Sequence, residues 1–136
     1  MRLLRVDHVG IVVRDLGAHA AQLEALGLAL ARTNENADYA SSARYYPCGD
    51  TSVELIEVRE PEARAARLPD GVEARIEHIA FEVDDLAEVR DHLVARGVEV
   101  SWPPYPSGDA EMIWTDGDSS GGVQYQFLAR PSGPGG

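Results

Sequence analysis

The sequence predicts an α+β fold made of two paired βαβββ modules whose mixed sheets enclose a concave cavity. Three observations predict it. The first is an internal repeat: Asp7-His8-Val9-Gly10-Ile11-Val12-Val13-Arg14-Asp15-Leu16 returns 70 residues later as Glu77-His78-Ile79-Ala80-Phe81-Glu82-Val83-Asp84-Asp85-Leu86. The second is that the same offset stays in step further on, matching Leu23 with Leu93, Ala25 with Ala95, Gly27 with Gly97 and Leu30 with Val100. A repeat of this length marks a duplicated unit that cannot bury its apolar sheet face alone, so the copies are expected to pair about a pseudo-twofold axis. The third is the histidine that opens each copy, which points to one site built from two equivalent halves inside the cavity.

The elements follow in order. Leu4 to Val13 is rich in Val and Ile and reads as a buried strand, and Arg14-Asp15-Leu16 leads into a helix that runs to Leu26 and stops at Gly27. Polar Thr33 to Asp38 reads as a loop. Ala43 to Pro47 and Ser52 to Val58 read as strands joined by the turn Cys48-Gly49-Asp50-Thr51. Glu60 to Glu73 carries Pro61, Pro69 and Gly71 among charges and reads as a connection, with a short helix at Glu62 to Leu68. In the second copy Arg75 to Val83 is a strand and Leu86 to Arg96 a helix stopped by Gly97. Val98 to Trp102, Glu111 to Thr115 and Gly122 to Leu128 complete it as strands. Residues 1–59 therefore form the first module, 60–74 a linker, 75–130 the second module and 131–136 a Pro- and Gly-rich flexible tail.

At 136 residues the chain can bury one substantial core without disulfides, and its single cysteine cannot form one internally. Cys48 is expected as a half-buried small side chain near a turn. No apolar run approaches the roughly 18 residues of a membrane span, and no basic and apolar leader is read, so a soluble cytoplasmic protein is expected. Twelve basic residues face twenty-three acidic ones for a net charge of −11, which excludes nucleic acid and anionic membrane surfaces as partners. All twelve are arginine, so Schiff-base chemistry on a lysine is excluded as well.

The ends of the modules extend the symmetry. Val53-Glu54-Leu55-Ile56 and Tyr125-Gln126-Phe127-Leu128 each place a polar residue in an apolar closing strand, and Glu54 and Gln126 lie 72 residues apart, close to the spacing of the histidines. A pseudo-twofold that brings His8 near His78 brings Glu54 near Gln126. Two imidazoles, a carboxylate and an amide oxygen suit one divalent first-row ion (Fe, Mn, Co, Ni or Zn) with one or two positions left for water or substrate.

The motifs around His8 and His78, the VELIE ending of the first module and the GVQYQFL ending of the second resemble the vicinal oxygen chelate superfamily of glyoxalases, bleomycin resistance proteins and dioxygenases. DHVGIVVRDL and EHIAFEVDDL are most similar to its methylmalonyl-CoA epimerase-like members. The resemblance spans essentially the whole chain and implies metal ligands at His8, Glu54, His78 and Gln126. It also exposes a departure, since those epimerases usually carry the carboxylate ligand on the last strand and the amide at the end of the first module. Here the two are exchanged.

The resemblance implies a metal-dependent lyase or isomerase that chelates neighbouring oxygens of a small substrate and stabilises an enediolate or enolate, with Glu54 as the proton acceptor. Glu35 and Asp38 stand where those epimerases draw a second base. One alternative is a non-haem Fe(II) dioxygenase using the two histidines and Glu54; another is a metal-free small-molecule binding or antibiotic resistance protein. Tyr45, Tyr46, Trp102, Tyr105, Met112, Trp114 and Tyr125 are available to line a pocket, although strand alternation sends about half of them into the core. His19 and His92 fall in helices at unequal repeat positions and are set aside as exposed. A CoA substrate would have to place its phosphates on Arg44, Arg64, Arg67 and Arg75. A homodimer is expected.

Overall fold

A computed structural model describes residues 1–131. The repeat is visible as a repeat of structure. The first copy runs β1 (Leu3–Val13), α1 (Leu16–Ala25), β2 (Arg32–Asn36), β3 (Ser41–Cys48) and β4 (Thr51–Val58). After a short helix α2 (Pro61–Arg67), the second runs β5 (Ala74–Val83), α3 (Leu86–Val94), β6 (Tyr105–Ser107), β7 (Ala110–Trp114) and β8 (Gln124–Ala129). No helix among the described residues is long and apolar enough to cross a membrane.

The chain divides into two compact units, residues 8–77 and residues 1–7 together with the chain from His78 onward. In the unit of residues 8–77 the strand order is β2-β3-β4-β1, with β1 and β4 parallel and the other pairs antiparallel. In the other unit it is β5-β8-β7-β6, again with one parallel pair, β5 and β8.

Capping explains why the helices sit at matching places. Asp15 accepts a hydrogen bond from the Ala18 amide at 3.1 Å, and Asp85 accepts one from the Glu88 amide at 3.2 Å, each at the N-terminus of its helix. At the other end Gly27 and Gly97 take positive φ of 102° and 81°, and the following residues, Leu28 and Val98, return their amides to Leu23 and Leu93. That is a Schellman closure in both copies, and the glycines are there because an L side chain would be strained at such φ.

Period-two alternation then sorts the strands into two faces. On one face of the first unit Val13, Leu55 and Tyr46 pack with Leu16 and Ala20 of α1. On the opposite face Val12, Ile56, Val58 and Ala43 pack with Leu68, which follows α2. The second unit repeats the division: Val83, Phe127 and Ile113 pack with Leu86 and Val89 of α3, while Ala80, Leu128 and Ala110 lie on the other face. Arg14 holds the end of the connection between the repeats, donating to the carbonyls of Pro69 and Val72 at 3.0 Å. In the second unit Arg130 bridges Asp7 and Glu82 at 3.0 Å each, and Arg5 bonds the same two carboxylates. Burial alone would raise the Glu82 carboxyl, but the hydrogen bonds and charges of Arg5 and Arg130 outweigh it and hold the group below its ordinary range.

Three local expectations are revised. Residues 32–36, expected mostly as loop, form an edge strand whose backbone pairs with β3 although its side chains are polar. Val98 to Trp102 is not a strand; only Val100 bridges, to Thr115, and the second strand of the module is the short Tyr105–Ser107. Cys48 is exposed at its hairpin turn. The expected flexible tail lies outside the described residues apart from Pro131.

Tyr46 is fully buried beneath α1, and its hydroxyl finds no hydrogen-bonding partner among the described residues. An unsatisfied buried hydroxyl costs roughly 1–3 kcal/mol. Tyr46→Phe is therefore expected to stabilise the protein by about 1 kcal/mol, raising the thermal midpoint by about 3 °C in a calorimetric scan. A fall of similar size would mean that the hydroxyl has a partner.

Candidate metal centre

The parallel strand pairs build two equivalent half-sites. In the first unit His8 lies opposite Ser52 and Gly10 lies opposite Glu54, so His8 and Glu54 share one face, one step apart along the pair. In the second unit His78 lies opposite Gln124 and Ala80 opposite Gln126, which gives His78 and Gln126 the same relation. Both second-strand residues stand across from the smallest residues on offer, Gly10 and Ala80. This is the face turned away from α1 in the first unit and from α3 in the second.

All four side chains are withdrawn from water: His8 is 9% exposed, Glu54 8%, His78 1% and Gln126 9%. In the first unit His8 Nε2 and Glu54 Oε1 are 3.5 Å apart. A direct charge-assisted contact would close to about 2.8 Å, whereas two donors each about 2.1 Å from a common ion stand roughly 3.0–3.4 Å apart at right-angle to tetrahedral openings. The pair therefore has the spacing of two ligands more nearly than that of an ion pair, and an imidazole with a carboxylate is a donor set for a divalent first-row metal. Gln126 Nε2 donates to Gln124 Oε1 at 3.3 Å, which leaves the carbonyl end of its amide as the cation-binding end.

Glu54 has further company in its own unit. Tyr45 lies directly across from it on β3, which sets its hydroxyl beside the Glu54 carboxylate. Burial, and then the neighbouring Glu54 charge and hydrogen bond, push the Tyr45 hydroxyl well above its ordinary range, and Arg32 offsets this only in part. Arg32, opposite Tyr45 on β2, stacks its guanidinium 3.7 Å from the ring centroid. The Arg67 guanidinium makes two hydrogen bonds of 2.7 Å to Glu77. Burial opposes the charge of Arg67, but Glu77, with smaller contributions from Glu54 and Tyr39, keeps it firmly protonated and gives Glu54 a nearby cation.

Other expectations fare unevenly. Glu35 projects from the opposite face of its unit's sheet, where it is 69% exposed and bound to Arg59 at 2.6 Å, and Asp38 is exposed in the turn that follows. Glu35 is therefore not a base for this face. Of the aromatic set, Tyr45, Tyr105, Met112 and Trp114 lie on the faces that carry the four polar residues. Tyr46 and Tyr125 lie on the helix-covered faces, and Trp102 is in a loop with Arg90 over its ring at 4.1 Å. Arg44 projects from the helix side of β3 and Arg67 is engaged by Glu77, so these two do not join as a phosphate site. His19 and His92 are half-buried on their helices.

Arg32 over the Tyr45 ring, and Arg67 as a neighbour of Glu54, are placements the sequence does not anticipate. Pairing Tyr45 with Trp114, at nearly the repeat offset, was the sequence signal that could have pointed to the β3 position; nothing local marks the two arginines.

Two βαβββ modules, each carrying a histidine and an oxygen donor at matched register, define the glyoxalase-like vicinal oxygen chelate fold. Residues 7–114 match the model of the glyoxalase/bleomycin resistance protein/dioxygenase superfamily, and the chain belongs to that superfamily. An ethylmalonyl-CoA/methylmalonyl-CoA epimerase of Cereibacter sphaeroides is 32% identical over 98 residues, 71% of this chain and 73% of the relative. Among solved structures, a hypothetical protein of Bacillus halodurans superposes with a TM-score of 0.83 at 23% identity, covering 96% of both chains. Methylmalonyl-CoA epimerase of Mycobacterium tuberculosis gives 0.83 at 21%, covering 96% of this chain and 90% of its own. A Streptomyces coelicolor methylmalonyl-CoA epimerase variant in complex with 2-nitronate-propionyl-CoA gives 0.81 at 20%, covering 96% and 100%. At these identities the structural likeness is one of fold.

The Arg67–Glu77 pair sits beside this centre, with Glu77 6% exposed. Arg67→Met removes the guanidinium that meets Glu77 at 2.7 Å and is expected to lower the midpoint of denaturant unfolding, with Glu77→Gln added to it restoring part of the loss. An unchanged midpoint in the single variant would show that Glu77 reaches another donor.

Proposed function

We propose that this protein is a divalent-metal-dependent isomerase of the epimerase type, acting on a carbonyl compound with an acidic neighbouring C–H and a second oxygen within chelating distance. The observation that carries the reading is the matched register of His8 with Glu54 and of His78 with Gln126. In this reading the two halves face a common centre, and the four side chains hold one ion of Fe, Mn, Co, Ni or Zn. When bound, the ion supplies positive charge that polarises the substrate carbonyl and lowers the cost of removing the adjacent proton.

The chain's own residues do the rest. Glu54 is the only carboxylate that β1 to β4 project from this face in the first unit; it takes the proton, and solvent returns one to the opposite side of the enolate. The Tyr45 hydroxyl steadies one of its oxygens. Arg67 is a neighbouring cation. Gln126 has no usable base at pH 7 and serves to bind. Because the carboxylate stands on β4 rather than on β8, the base approaches the substrate from the side opposite to that expected for the epimerases of the family. Tyr45 brings aromatic surface to the face of Glu54 in the first unit, and Tyr105 and Trp114 bring it to the face of Gln126 in the second. The Cereibacter relative supports an acyl-CoA thioester of a short dicarboxylic acid as substrate, and the 2-His-1-carboxylate set favours the superfamily's Fe(II) dioxygenase chemistry as the second reading.

The test combines metal content with proton exchange. Protein purified without chelator is expected to hold close to one divalent ion per chain, and His8→Ala and His78→Ala each to lose it. Under argon in deuterated water, methylmalonyl-CoA and ethylmalonyl-CoA are expected to gain deuterium at the α-carbon, with Glu54→Gln slowing this by about 10²–10⁴-fold. A protein that binds none of these ions overturns the reading in favour of a metal-free binder. Turnover that requires dioxygen overturns it in favour of the oxygenase.

A further inference from the structure

We infer that Tyr45, held in place by Arg32, is a positioning residue that fixes the orientation of the Glu54 carboxylate. The inference rests on the metal-site reading above and adds to it a group outside the ligand set. Three strands contribute in a row: Arg32 on β2 lies opposite Tyr45 on β3, which lies opposite Glu54 on β4. Directly opposed side chains in antiparallel strands meet within about 5 Å at Cβ, so the three form one lateral chain on one face of the sheet. Its links are of different kinds. The Tyr45 hydroxyl stands beside the Glu54 carboxylate across the β3–β4 pair, and the exposed Arg32 guanidinium lies 3.7 Å from the Tyr45 ring centroid.

The asymmetry between the modules explains why a hydroxyl is needed on this side. A buried carboxylate is acceptor-only and can be oriented only by donors around it, whereas an amide carries its own donors. The place that Tyr45 occupies opposite Glu54 is taken in the second module by Trp114, opposite Gln126. Gln126 already meets Gln124 through its own nitrogen. The phenol thus accompanies the carboxylate to the first module, where this chain carries it in exchange for the amide. The carboxylate beside Tyr45 is the one that His8 meets, its Oε1 standing 3.5 Å from the imidazole Nε2. Partners of this kind typically contribute 10–100-fold in metal affinity.

The experiment is a titration of the full-length metal-free protein with Co²⁺, following the visible absorption bands of the bound ion, for the wild type, Tyr45→Phe, Arg32→Met and Glu54→Gln. Tyr45→Phe removes one oxygen and keeps the ring. It is expected to weaken Co²⁺ binding by roughly 10-fold or more and to shift the bands, with the metal-free protein still unfolding in one cooperative transition. In a Glu54→Gln background the same substitution is expected to have no further effect on affinity. Arg32→Met keeps the hydroxyl but frees the ring, and is expected to move affinity and bands in the same direction by less; it serves as the test if Tyr45→Phe does not fold. Wild-type affinity and bands in Tyr45→Phe, with Glu54→Gln weakened, overturn the positioning role and leave the metal site standing. Wild-type affinity in Glu54→Gln overturns both.

Discussion

The parallel pairing of the first and last strand of each module is the constraint from which the site follows. Parallel strands set residues across from each other at fixed register, and the pleat sends alternate side chains to opposite faces. Once β1 and β4 are paired with Gly10 opposite Glu54, His8 and Glu54 must project from the same face, one step apart. Pairing β5 with β8 through Ala80 and Gln126 does the same for His78 and Gln126. A slip of one residue would turn each polar group into the helix-covered core and each core residue outward. The apolar contacts of Val13, Leu55 and Tyr46 with α1, and of Val83 and Phe127 with α3, hold the register that the polar face requires. Packing on one face therefore determines geometry on the other.

The polar face runs against the ordinary economy of burial. Two imidazoles, a carboxylate and an amide with less than a tenth of their surface exposed are costly to remove from water unless something engages them. Around Glu54 the engagement is visible in the Tyr45 hydroxyl, the Arg67 charge and His8. Arrangements that spend stability in this way are characteristic of sites rather than of cores. The exchange of carboxylate and amide between the modules then has a structural companion, since the acceptor-only side chain sits opposite a phenol and the amide opposite an indole.

Much of this was legible in the sequence because duplication makes signal out of repetition. His8 and His78 are unremarkable singly, but their 70-residue spacing, the matched Asp15 and Asp85 caps and the matched Gly27 and Gly97 stops reveal equivalent elements. Arg32–Asn36 escaped because an edge strand can be held by its backbone alone, leaving polar side chains with no period to read. Val98 to Trp102 misled for the opposite reason: its β-branched residues suggest a strand, yet only Val100 bridges, and pairing resumes at Tyr105 across a segment containing two prolines. Glu35 was attractive by position and composition, but face depends on register, and register places it away from Glu54 and beside Arg59. The Arg32–Tyr45–Glu54 row joins residues 22 positions apart at its ends through two antiparallel pairings. No local pattern encodes it.

The central claim is that the two half-sites serve one ion. Anomalous diffraction from crystals grown with manganese, recorded on both sides of its absorption edge, tests it most directly. The account predicts one strong peak per chain, bonded by His8, Glu54, His78 and Gln126 at about 2.0–2.2 Å. A fully loaded crystal whose only peaks lie elsewhere, or whose ion contacts one half-site and not the other, would contradict it.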